Sequence, residues 1–241
     1  MTTLLFRDDT YLKSCEATVV GITERGGIIL DRTVFYAAAG GQPGDKGTLN
    51  GGIISGLTIA TTVYDEAKTV VHVPAEGQPL PAVGDVVTAE IDWVHRYRIM
   101  RCHTLMHLLC ASVPFPVTGS AITEDGGRID FDIPEGLTPE KGALAAKINA
   151  LIAQDHAIST RMITEDELDA NPQLVRTMFV KPPRGSGFVR LVLIGEDGKV
   201  DMQPCGGTHV ARTSEIGEIA VAKIENKGKI NRRIRLALVA P

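Results

Sequence analysis

The chain has 241 residues, is 44% hydrophobic and 22% charged, and carries a formal net charge of −4. Those proportions belong to a globular protein long enough for two modest domains with their own cores. They argue against non-specific coating of nucleic acid while leaving room for a local basic face, and no apolar run approaches the roughly 18 residues of a membrane span. Cys15, Cys102, Cys110 and Cys205 are too scattered for a secreted disulfide framework. Acidic residues in "MTTLLFRDDTYLK" stand where a signal peptide needs an apolar run. The expected location is therefore the cytoplasm, a reducing compartment where paired Cys and His more often serve metal or catalysis than cross-links.

From Leu4 to about Asp92, short apolar runs alternate with glycine-bearing turns. "CEATVVGI" and "GGIIL" flank a turn at Glu24 to Gly27, "LNGGII" holds an Asn-Gly turn, and "VVHV" and "VVTAEID" are β-branched strands. Residues 1–92 thus read as a small β-barrel-like domain, a sandwich being the other way to close such strands. Inside it lies "FYAAAGGQPGDKGTL", a tight connection or part of a site. Residues 93–241 have longer periods and read as an α+β domain. "WVHRYRIMRCHTLMHLLCAS" predicts a helix without Pro or Gly, and "TPEKGALAAKINALIAQDHA" a second one, with Thr138 as cap, Pro139 in the first turn and Leu144, Ile148, Leu151 and Ile152 on one face. "TEDEL" has capping-box spacing from Thr164. Strands are expected in "RIDFDI", "AISTRMI", "FVRLVLI", "GEIAVAKIE" and "NRRIRLALV".

Within the first helix, His103 and His107 are four residues apart and share a face. "CGGTH" sets Cys205 and His209 on a loop whose glycines let it turn back on itself. Two imidazoles from a helix with one thiolate and one imidazole from a loop form a ligand mixture suited to zinc, one ion per chain. Cys110, on the same helical face, is a rival donor, although "HLLCAS" has the look of apolar packing. His72, His95 and His156 lack ligand spacing and read as structural or exposed.

Taken in order, "GGQPGDKG", "RCHTLMHLL", "GSAITEDGGRIDFD", "CGGTHV", "EIG" and "KGKINRRI" resemble the free-standing alanyl-tRNA editing proteins of the AlaX type, relatives of the editing domain of alanyl-tRNA synthetase. The resemblance spans nearly the whole chain. It implies a barrel-like domain followed by a zinc-binding α+β editing domain, and a hydrolase that clears serine, or glycine, wrongly attached to tRNA specific for alanine. Two departures stand out. Ala39 replaces the first of three glycines usual before Gln-Pro, in a loop the family associates with judging the amino acid, and Thr213-Ser214 stands where Thr-Gly is usual.

Such an enzyme must position water, polarise the ester and refuse correctly charged tRNA. Zinc can serve the first two tasks, yet four protein ligands normally close a zinc site. A loose ligand, a five-coordinate ion, or an ion that anchors the substrate's amino group each resolves this. A site that hydrogen-bonds the serine hydroxyl supports discrimination on the order of 10⁴ against alanine. Gln42, Thr104 and Thr208, with Gly40 and Gly41 beside Gln42, are the substrate-binding candidates. For each polar one the ordinary alternative is a surface, helix or turn role. Arg96, Arg98, Arg101, Lys181, Arg184, Lys227, Lys229, Arg232 and Arg233 are candidates for tRNA phosphates, or else solvated faces. Nothing in the sequence calls for a membrane or an obligate protein partner. The competing readings are a non-catalytic RNA-binding module with a structural zinc and a metal-dependent hydrolase of a small ester or amide.

Overall fold

The computed structural model describes every residue except 1, 53, 179–184, 186, 229, 240 and 241. The chain forms two compact units, residues 1–99 and 100–241. The sequence places its change of texture at residue 92; the structural division falls inside the helix that begins at Trp93. Among the described residues, no helix is long and apolar enough to cross a membrane.

The first unit contains β1 (Thr3–Leu4), β2 (Ser14–Ile22), β3 (Ile28–Leu30), β4 (Arg32–Thr33), β5 (Gly47–Gly51), β6 (Ile54–Tyr64), β7 (Val70–Pro74) and β8 (Val86–Ile91). Six of these close an antiparallel barrel in the order β2-β3-β7-β6-β5-β8, which leaves no open sheet edge. Strict alternation along β8 sends Val87, Ala89 and Ile91 inward. There they join Ala17, Val19, Ile28, Leu30, Leu49 and Ile59 in the core. The expected turn does not form at Asn50-Gly51, since both residues belong to β5. Gly51 pairs with Ile54, and Asn50 Oδ1 instead accepts from the Gly56 N–H at 2.6 Å.

The glycine-rich loop is tightly tied. Ala39 and Gln42 exchange both backbone hydrogen bonds, 3.2 and 2.9 Å, across Gly40 (φ 59°) and Gly41 (φ 86°), the backbone of a two-residue hairpin turn. At Gly44 a Cβ would lie 1.9 Å from the Thr62 carbonyl oxygen, so only glycine fits. Below it the buried Asp45 carboxylate is ion-paired to Arg96 and accepts from the Tyr36 N–H at 2.6 Å.

The second unit takes up most of α1 (Trp93–Ser112) and adds β9 (Val117–Thr123), β10 (Gly126–Asp132), α2 (Lys141–Ala153), β11 (Ile158–Thr164), α3 (Glu165–Ala170), β12 (Phe188–Ile194), β13 (Asp201–Pro204), β14 (Ile219–Asn226) and β15 (Asn231–Leu238). They form a four-stranded sheet, β14-β15-β10-β9, and a three-stranded sheet, β11-β12-β13. From Ile99 to Cys110, every α1 residue except Arg101 is buried, as expected of a helix without a polar stripe. In α2, Leu144, Ile148 and Ile152 are buried and Leu151 half-buried. Its cap is not Thr138. The chain enters the helix two residues later, where the Glu140 carboxylate accepts from the N–H groups of Gly142 and Ala143 at 2.7 and 2.6 Å. The Thr164 capping box forms as the spacing predicts.

Candidate metal centre

His103 and His107 stand one turn apart on α1, while Cys205 and His209 come from the loop that follows β13. The fold brings them together, with one ligand atom from each lying within 4.8 Å of all the others. Cys205 Sγ is 3.5 Å from His103 Nε2 and 3.3 Å from His209 Nε2. A tetrahedral zinc with ordinary Zn–S and Zn–N bonds separates sulfur from nitrogen by about 3.6 Å, so Cys205 already stands near that spacing from His103 and His209.

Three of the four donors are held from behind. His107 Nδ1 lies 2.9 Å from Asp201 Oδ2, and Gln203 Nε2 donates to that same oxygen at 2.8 Å. The 3.2 Å between Gln203 Nε2 and His107 Nδ1 is the approach of two donors to one shared acceptor. With its Nδ1 proton committed to Asp201, His107 turns Nε2 to the cluster, the usual carboxylate–histidine–metal arrangement. His209 Nδ1 is 3.1 Å from Thr104 Oγ1, which donates to the Met100 carbonyl at 3.0 Å and accepts from the Val210 N–H at 3.3 Å. Arg190 Nη1 donates to the carbonyls of Cys205 and Gly207 at 2.9 and 3.0 Å, pinning the loop, and the Gly207 N–H approaches Cys205 Sγ at 3.4 Å.

The electrostatics suit metal ligation. Burial alone would raise the Cys205 thiol pKa, but the neighbouring His103 and His209 charges overcome it and hold it well below its ordinary value. Burial lowers His107, and the Asp201 hydrogen bond with the nearby Cys205 more than reverses this, to about 10. Burial, with the neighbouring His103 adding to it, holds His209 well below its ordinary value. The rival donor Cys110 is outside the cluster, and burial, with Asp201 adding to it, pushes its thiol up to about 12. His72 is structural: its ring bridges Thr33 Oγ1 and the Ile28 carbonyl in the barrel.

The other candidates scatter. Thr104 and Thr208 are fully buried, and the Thr104 hydroxyl lies against His209, the Met100 carbonyl and the Val210 N–H. Gln42 is buried in the first unit, beside the exposed Gly40 and Gly41. Arg96 leaves the set of phosphate candidates, because its side chain is wholly buried against Asp45 and the Thr10 and Val34 carbonyls. Arg232 is likewise buried, turned toward Thr138 and the Gly228 carbonyl. Arg101 binds the Ile216 carbonyl at 2.6 Å. Arg98, Lys227 and Arg233 keep exposed or half-exposed positions, and Lys181, Arg184 and Lys229 lie outside the described residues. Sequence reading missed Asp201 and Gln203; their one signal is alternation, since i and i+2 of a strand share a face.

The family described as "Threonyl and Alanyl tRNA synthetase second additional domain" matches residues 189–235, and "tRNA synthetases class II (A)" matches residues 6–95. The two matches cover most of the first unit and part of the second. An alanyl-tRNA editing protein AlaX-M of Methanosarcina mazei is 36% identical over 99% of this chain and 97% of its own length. The AlaX-M protein of Pyrococcus horikoshii is 30% identical over 99% and 98%. The alanine–tRNA ligase of Pyrobaculum calidifontis is 34% identical over 92% of this chain, which spans 25% of that ligase. The chain belongs to the AlaX-M family of alanyl-tRNA editing proteins.

Proposed function

We propose that this protein is a trans-editing aminoacyl-tRNA deacylase that uses one zinc ion per chain to hydrolyse the ester of tRNA for alanine mischarged with serine, or with glycine. The observation that carries the reading is the three-histidine, one-cysteine cluster, with Cys205 near zinc spacing from two of the imidazoles, in a chain similar along its whole length to proteins named for alanyl-tRNA editing. Zinc held by His103, His107, Cys205 and His209 would supply a Lewis acid for the ester carbonyl and lower the pKa of water. The chain's own groups prepare the site. Asp201 fixes the His107 ring, Thr104 fixes the His209 ring, and Arg190 fixes the loop. Access is at the loop, where Gly206 is exposed and a Cβ on it would meet no atom within 4 Å.

A structural zinc in an RNA-binding module is the second reading, favoured by the same geometry, since four protein donors close a tetrahedral ion. Deacylation decides between them. Seryl-tRNA for alanine is expected to be hydrolysed and alanyl-tRNA spared, with glycyl-tRNA showing how Ala39 affects the choice. Metal analysis should find about one zinc per chain, lost in Cys205→Ser and kept in Cys110→Ser. Equal cleavage of seryl- and alanyl-tRNA would sink the editing reading, because an editor that destroys the correct product confers no fidelity. Zinc without any hydrolysis would favour the structural reading.

A further inference from the structure

The solvent face of the four-stranded sheet carries a charge pattern that folding alone does not ask for. In register, Lys223 of β14 lies opposite Arg235 of β15, and Arg235 opposite Arg128 of β10. Three cations thus form one row across three adjacent strands, spanning roughly 10 Å at ordinary strand spacing. Like charges directly opposite one another destabilise a sheet. The next row is Glu225, Arg233 and Asp130, whose carboxylates hold the cations in place. Asp130 takes Arg128 at 2.7 Å and Arg233 Nε and Nη2 at 2.7 and 2.8 Å. Glu225 takes Arg235 at 2.8 Å, Lys223 at 3.1 Å and Lys227 at 3.9 Å.

Five cations therefore share two carboxylates, on a chain whose net charge is −4. The layering favours the cations. The carboxylate side chains are 13% and 17% exposed, whereas Arg233 and Arg128 are 20% and 27% exposed and Lys227, Arg235 and Lys223 are 42%, 43% and 66% exposed. On the neighbouring strand β9, Ala121 lies opposite Arg128 and Gly119 opposite Asp130. Nothing larger than a methyl group therefore flanks the row on that side.

We propose that this face is the surface that receives tRNA phosphates. The inference rests on the reading of the protein as a tRNA deacylase and names the surface that such a protein would use. Held guanidinium and ammonium groups over sunken carboxylates lose little freedom when a phosphate arrives, and each neutralised phosphate releases counterions. Sequence reading could reach Arg233 and Lys227 as members of a basic stretch. It could not reach Arg128 or Lys223, which strand pairing brings from elsewhere in the chain.

The test is the salt dependence of binding to an uncharged transcript of tRNA for alanine. The triple variant Arg128→Gln, Lys223→Gln, Arg235→Gln is expected to flatten the log–log salt slope by roughly 2 to 3, at about 0.9 per phosphate contact, and to weaken binding about tenfold or more. A control set, Arg25→Gln, Lys68→Gln and Lys199→Gln, removes three exposed cations from turns and is expected to leave the slope unchanged. The decisive variant works in the opposite direction. Asp130→Asn with Glu225→Gln frees the cations, so binding should tighten and the slope steepen, which a merely structural ion-pair network would not produce. A wild-type slope in the cationic triple variant, or weaker binding in the carboxylate variant, overturns the proposal. These readouts need no hydrolysis, so the surface and the deacylase reading can fail separately.

Discussion

Asp201 shows how much a single side chain decides here. It contributes no atom to the four-donor group, yet its Oδ2 is the shared acceptor for His107 and Gln203, and its Oδ1 is buried with no hydrogen-bond partner among the described residues. An unpaired buried carboxylate oxygen is costly, so a carboxylate at this place needs a purpose, and fixing His107 supplies one. Asp201→Asn keeps the size and removes the charge. We expect zinc affinity to drop about 10- to 100-fold, measured by competition with a chelator; unchanged affinity with only a lower melting temperature would assign Asp201 to packing. His72 makes a second case, with a pH signature. Burial, only partly offset by its hydrogen bond to the Ile28 carbonyl, lowers its pKa from 6.5 to about 4. The unfolded chain therefore takes up a proton below about pH 6.5 that the folded chain refuses until about pH 4. Its contribution is complete above that window and is lost as pH falls through it, by up to roughly 3 kcal/mol. Denaturation curves at pH 6.5 and 4.5 should show the loss, and His72→Gln should remove most of this pH dependence while lowering stability overall.

Among the elements, those with a strong local signal are the ones that sequence alone locates. Helix α1 runs over the stretch free of Pro and Gly, Trp93–Ser112, and β12 occupies "FVRLVLI". The Thr164 capping box is local chemistry and forms as expected. The start of α2 is different, because Thr138, Pro139 and Glu140 all suit a helix N-terminus and only the path of the incoming chain selects Glu140. Strand β13, "DMQP", is four residues long and too short and polar for any periodic signal. Pairing with β12 creates it. The glycine-rich loop is legible as a special backbone, but the demand at Gly44 comes from Thr62, a residue on β6. Gly44→Ala should therefore destabilise the barrel by about 3 kcal/mol, at the upper end of overpacking costs. Thermal unfolding of the variant would measure it, and a shift within error of zero would mean that β6 yields easily.

At the level of the whole molecule, the sequence by itself determined the class of each half, the helix with its two histidines, and the loop with its cysteine and third histidine. These are properties of composition, periodicity and short spacing, all encoded within a few residues of one another. It also carried the family, since the ordered motifs run the length of the chain. Only the tertiary structure decided that the helix pair and the loop pair meet, because Cys205 stands 102 residues from His103 and no local rule fixes a contact at that separation. The structure also separated residues that read alike in one dimension. Arg96 and Arg98 are two residues apart, yet one is buried against Asp45 and the other is exposed; Arg232 and Arg233 are adjacent and point to opposite faces of β15. A strand reverses direction at every residue and a helix turns about 100°, so a run of like charges in sequence becomes a surface only where pairing and packing place it outward. The row of Lys223, Arg235 and Arg128 is the converse case: three cations from three strands, aligned by the registers of β14, β15 and β10.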